Sequence, residues 1–94
     1  MENFKNNPQL FEDNAELLKA LAHPVRLCMV KGLLQAGESN VSNMQNCLNM
    51  PQSTISQHIA KLKSAGIITG ERNGLEIIYK VSNPKVISII NALF

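Results

Sequence analysis

Pro51-Gln52-Ser53-Thr54-Ile55-Ser56-Gln57-His58-Ile59-Ala60-Lys61-Leu62 is the stretch on which the fold turns. Ile55, Ile59 and Leu62 recur at helical spacing and form one apolar stripe. The spacing predicts a helix from near Gln52 to Ser64, stopped by Gly66. With the stripe set aside, Gln52, Ser53, Thr54, Ser56, Gln57 and His58 remain near its start. These side chains are short or amide-bearing, weakly charged, and rich in donors and acceptors. They suit the edges of bases in a DNA major groove: glutamine pairs with adenine through two hydrogen bonds, while serine and threonine serve bases or phosphates. A helix N-terminus also offers free backbone N–H groups to a phosphate. Lys61 and Lys63 follow, within reach of the DNA backbone. The competing reading is an ordinary solvated helix face.

The flanking segments favour DNA. Upstream, Ser42 is the expected N-cap of a short helix carrying Met44 and Leu48, joined to the next helix by Leu48-Asn49-Met50-Pro51. Downstream the apolar period switches from 3.6 to 2. Ile67–Arg72 reads as a strand, Asn73-Gly74 as a two-residue hairpin turn, and Leu75–Ser82 as the returning strand. Arg72 and Asn73 at the hairpin tip suit a narrow minor groove, although a solvated arginine in a turn is the plainer alternative. Further out, Asp13-Asn14-Ala15-Glu16 reads as a capping box opening a helix with Leu17, Leu18, Leu21 and Ala22. Pro24 starts a second helix on Leu27, Val30 and Leu34, widened by Met29 and Leu33 and closed by Gly37. Asn83-Pro84 opens a final helix, apolar almost all round through Val86, Ile87, Ile89, Ile90 and Leu93. The expected fold is mainly α with a β-hairpin, a winged helix-turn-helix in the order α-α-α-α-β-β-α. It fills residues 12–94 behind a mobile arm at 1–11.

Ninety-four residues, 45% of them apolar, make one small domain with a core. Charged residues are 17%, below the roughly 25% of average proteins. The net charge of +2 divides unevenly. Residues 1–50 hold four basic and five acidic side chains, and residues 51–94 hold five and two, giving −1 and +3. A basic half is a weak sign of a polyanion partner. No apolar run approaches the roughly 18 residues of a membrane span. The polar start does not read as a signal peptide, and two cysteines make a cytoplasmic setting the expectation. No acid pair, nucleophile–base pair or phosphate-cradling glycine loop is arranged for catalysis, and Gly70 and Gly74 fit the hairpin.

Leu21-Ala22-His23-Pro24-Val25-Arg26-Leu27, the stretch from Pro51 to Leu62, and Gly74-Leu75-Glu76-Ile77-Ile78-Tyr79 together resemble the ArsR/SmtB family, over about residues 12–94 in one register. The resemblance implies a homodimeric winged-helix repressor of prokaryotes that binds double-stranded DNA at a palindromic operator and is released by an inducer bound elsewhere. It implies a dimer through the first and last helices, hence Leu17, Leu18, Leu21, Val86, Ile87, Ile90 and Leu93. It places Gln52, Ser53, Thr54, Ser56, Gln57 and His58 at DNA and Arg72 in the wing. It implies no cofactor here. Asn40 and Ser42 stand where soft-metal-sensing members carry thiolates, and neither is a useful soft-metal ligand. Members that bind zinc between their last helices use Asp and His there, and no His, Cys, Asp or Glu follows Glu76. The Asn-Pro-Lys-Val run before the last helix resembles the PagR-like branch, which also lacks metal ligands.

Cys28 falls beside Lys31, Gly32 and Gln35 by helical phase, so Lys31 could favour a thiolate there. A thiol switch through Cys28, alone or with Cys47, is one alternative. Small apolar fillers are the favoured reading of both cysteines. His23 is expected to cap or turn. His58 is expected on the DNA face, where gaining charge near its ordinary pKa would strengthen phosphate binding. The remaining alternative is a winged helix reused for protein–protein contact through its last helix. The inducer is not identified by the sequence.

Overall fold

The computed structural model describes residues 3–94. The elements run α1 (Pro8–Leu21), α2 (Pro24–Ala36), α3 (Val41–Leu48), α4 (Gln52–Ser64), β1 (Ile68–Asn73), β2 (Glu76–Val81) and α5 (Pro84–Leu93), in the expected order of a winged helix-turn-helix.

Proline and its neighbours punctuate the chain. Pro8, Pro24 and Pro84 stand in the first turns of α1, α2 and α5. Their fixed φ suits the helix and their missing N–H would have had no partner. The residue before each is a cap: the side chains of Asn7, His23 and Asn83 accept backbone N–H groups of Leu10, Val25 and Lys85. His23 therefore has the capping role the sequence suggested. Gly37 closes α2 at a φ of 87°, and Asn49 closes α3 in the left-handed region at 53°.

Two helix starts differ from expectation. α1 begins at Pro8, so Pro8–Phe11 belong to a helix rather than to the expected arm, of which residues 1 and 2 lie outside the described residues. The Asp13–Glu16 box sits inside this helix, and Asp13 accepts a side-chain hydrogen bond from Gln9 at 2.7 Å. Asn7-Pro8 supplies a cap and a fixed φ six residues earlier, and nothing between them and Asp13 stops the helix. Likewise α3 is capped by Asn40, not Ser42. The Asn40 Oδ1 accepts from the Asn43 N–H at 2.8 Å.

The core gathers around α4. Ile55 and Leu62 of α4, Ile67 in the following turn, Val30 of α2 and Val86 of α5 are enclosed. Each such side chain stabilises the fold by about 1.5–3 kcal/mol relative to exposure. Ile59 completes the expected α4 stripe. On α2 the buried face is Met29, Val30 and Leu33, while Leu27 and Leu34 are half-buried. Both faces are apolar, so the packing of neighbours rather than the period chose between them.

The wing is one antiparallel hairpin in which Ile68 faces Val81 and Asn73 faces Glu76. Its turn residues are therefore Gly74 and Leu75, one position later than expected. Gly74 has a φ of 67° and Asn73 stays extended, the pattern of a II′ turn with glycine first. Gly70 pairs with Tyr79, and a Cβ on Gly70 would stand 2.7 Å from the Tyr79 ring. The wing is tied to the helices by Ser39, whose N–H donates to the Tyr79 carbonyl at 3.0 Å and whose carbonyl accepts from the Tyr79 N–H at 2.8 Å.

Candidate nucleic-acid interface

α4 packs against α3 on one side and is followed directly by the wing. With Ile55, Ile59 and Leu62 turned inward, Gln52, Ser53, Ser56, Gln57, Ala60 and Lys63 lie on one open arc, spanning about 140° of the helix at 3.6 residues per turn. Four of the six expected readers, Gln52, Ser53, Ser56 and Gln57, are exposed on it. Ala60 was not expected there; its exposure leaves room for a base or sugar to approach. The N-terminus of α4 has Pro51 as its N-cap and no side-chain hydrogen bond capping it. Its first N–H groups are thus open to an acceptor from outside.

Thr54 and His58 differ from expectation. Both are half-buried on the flank of α4, with Lys61, one turn on, exposed on the same side. The His58 ring sits 4.8 Å from that of His23, tilted by 52°, and its Nδ1 is buried without a hydrogen-bond partner. Burial, then the charges of His23, Arg26 and Lys61, hold the His58 pKa below its ordinary 6.5. His58 therefore packs under the α1–α2 corner as well as lying on the flank of α4. The helix stripe could not reveal this, because the contact depends on how α2 docks.

In the wing, Arg72 and Asn73 are exposed as expected. Leu75, expected to begin the returning strand, is wholly exposed at the tip beside them. Asn40 links wing and helices, its amide donating to the Glu76 carboxylate at 3.0 Å. Lys61, Lys63 and Lys80 add exposed positive charge around α4 and the wing.

The residues expected at a subunit interface divide. Leu17, Leu21, Val86 and Ile90 are buried in the chain's own core and Ile87 is half-buried, whereas Leu18 is 53% and Leu93 60% exposed. Leu10 and Phe11 of α1 and the terminal Phe94 are exposed apolar groups beyond those expected. Leu10 and Phe11 fall in the segment expected to be an arm and lie instead on α1.

Cys28 and Cys47 are both exposed. Lys31 does not attend Cys28; its Nζ lies 4.4 Å from the Phe94 ring centroid. No helix among the described residues is long and apolar enough to cross a membrane.

Known proteins carry the same frame. Residues 21–71 match a family model described as a helix-turn-helix domain. The chain is 46% identical over 82 residues to the transcriptional repressor PagR of Bacillus anthracis, covering 87% of this chain and 82% of that protein. The crystal structure of PagR matches with a TM-score of 0.87 at 43% identity, over 94% of this chain and 100% of that one. The chain belongs to the ArsR/SmtB family.

A further relative, the HTH-type transcriptional repressor SmtB of Mycobacterium tuberculosis, is 39% identical over 84 residues, which cover 87% of this chain and 60% of that protein. As an ArsR/SmtB protein, the chain uses α3 and α4 as its helix-turn-helix and β1–β2 as its wing. At the positions resembling the thiolates of metal-sensing ArsR/SmtB members, Asn40 caps α3 and Ser42 is exposed. Among the described residues no three His, Cys, Asp or Glu side chains converge on a common point.

Proposed function

We propose that this chain is a cytoplasmic, homodimeric DNA-binding transcriptional repressor, acting by binding rather than catalysis. The observation that carries the reading is the open arc of α4, lined by Gln52, Ser53, Ser56 and Gln57, in a chain of the ArsR/SmtB family. Those four residues read base edges in the major groove. Arg72 and Asn73 hold the minor groove or its phosphates, and Lys61 and Lys63 hold the backbone. The exposed apolar residues of α1 and α5, Leu10, Phe11, Leu18 and Leu93, meet a second copy. A two-fold pair places its α4 helices in successive major grooves of a palindromic site, about 34–36 Å apart.

The test begins with genome-wide footprinting to find the bound sites, followed by anisotropy titrations on one of them. Gln52→Ala and Gln57→Ala are each expected to cost about 1–3 kcal/mol at that site and much less on random DNA. Equal losses on both DNAs would refute base reading by this face.

A further inference from the structure

A cavity of about 400 Å³ lies between α2 and α3. Its volume falls in the range of small-molecule sites. Met29, Leu33 and Met44 give it an apolar floor. Cys28 enters it from α2 and Cys47 from α3, and both thiols are exposed. Two of the four methionines and both cysteines thus line one space. Their sulfur is soft and polarisable, and methionine reshapes readily around a guest.

Gly32 lines the same space from within α2. Glycine inside a helix destabilises it relative to alanine. Nothing in the chain comes within 4 Å of where a Cβ would stand, so no internal packing requires the glycine. The missing side chain widens the cavity. At the rim, the amides of Asn43 and Asn46 are exposed and can donate to a carbonyl oxygen.

We propose that this cavity binds small, largely apolar α,β-unsaturated carbonyl compounds, and that Cys28 or Cys47 adds to them covalently. The sulfur, as thiolate, forms a C–S bond to the β-carbon. The C=C π pair moves onto the carbonyl as an enolate, and the proton given up by the thiol returns to the α-carbon through water. Atoms and electrons balance without an oxidant or other co-reactant. α3 is the first half of the helix-turn-helix and packs on α4. A molecule fixed between α2 and α3 therefore displaces the support of α4 and lowers operator affinity; this consequence rests on the function proposed above.

The test uses the full chain and two probes, the apolar 2-cyclohexen-1-one and the small polar acrylamide. Adduct formation is followed by intact mass, and each rate is divided by that probe's rate with N-acetylcysteine. The normalised rate with cyclohexenone is expected to exceed that with acrylamide by roughly tenfold or more, the value of burying about two methylene groups. Unreactive cyclohexanone is expected to slow the cyclohexenone reaction, and Gly32→Leu to remove the excess of cyclohexenone over acrylamide. Equal normalised rates, or no protection by cyclohexanone, would overturn the site whether or not the Gly32 variant folds. Operator titrations of the cyclohexenone adduct are the second arm. Unchanged affinity overturns the regulatory consequence alone, whereas failure of the unmodified chain to bind any operator overturns the DNA reading and leaves the adduct result standing.

Discussion

His58 shows how a single contact reassigns a residue. Its ring rests on His23, and the fold holds its pKa below 6.5, by burial first and then by the charges of His23, Arg26 and Lys61. The unfolded chain therefore takes up the proton more readily than the folded one. Stability is complete above the unfolded value of 6.5 and is lost as pH falls through the lower folded-state pKa. Urea melts at about pH 7 and pH 5 are expected to show this loss in the wild type and a smaller one in His58→Gln. The same slope in both would show that His58 is not the titrating group. Gly70 is the second such residue. Its missing Cβ leaves room for the Tyr79 ring, and a methyl there would stand 2.7 Å from it. Gly70→Ala is expected to destabilise the chain by about 1–3 kcal/mol through overpacking, read as a lower urea midpoint.

Among the elements, α3 depends most on one side chain. Asn40 caps its N-terminus through Oδ1 and reaches the wing through its amide, bound to Glu76. Asn40→Ala removes both contacts, with an expected cost of about 1 kcal/mol for the cap and less for the exposed pair. Asn40→Ser restores a capping oxygen but not the reach to Glu76. Thermal melts are expected to rank wild type above serine above alanine, and an alanine variant as stable as wild type would show that the cap contributes nothing. α4 has no side-chain cap of its own, and its first turn presents polar side chains and open N–H groups together.

For the whole molecule, the distribution of surface matters more than its total. The net charge of +2 conceals a +3 half, in which α4 and the wing lie. Binding to DNA is accordingly expected to weaken as salt rises, with a slope set by the number of phosphates neutralised. The exposed leucines of α1 and α5 belong to another scale of contact. Under the dimer proposed above, Leu18→Glu and Leu93→Glu, both at exposed positions, are expected to leave the fold intact and shift sedimentation from dimer toward monomer. Val86→Glu would instead unfold the protomer, because Val86 is fully enclosed. A Leu18→Glu, Leu93→Glu double variant that still sediments as the wild type does would rule out this surface as the dimer contact.

The order of elements was legible in the sequence because its determinants are local. Proline after a capping residue, glycine or asparagine at a helix end, and an apolar stripe at period 3.6 act within a few residues of one another. The open arc of α4 was legible for the same reason: subtracting Ile55, Ile59 and Leu62 leaves Gln52, Ser53, Ser56 and Gln57 facing out. Where two local signals competed, as Asn7-Pro8 with Asp13 or Asn40 with Ser42, the local pattern favoured the later one, by six positions in α1 and by two in α3. Packing between elements decided the rest. The docking of α2 brings His23 against His58, and the pairing of β2 sets the Tyr79 ring over Gly70. The crossing of α2 and α3 brings Cys28 and Cys47, 19 positions apart in the chain, to one cavity. These placements depend on distances between segments that no local period encodes.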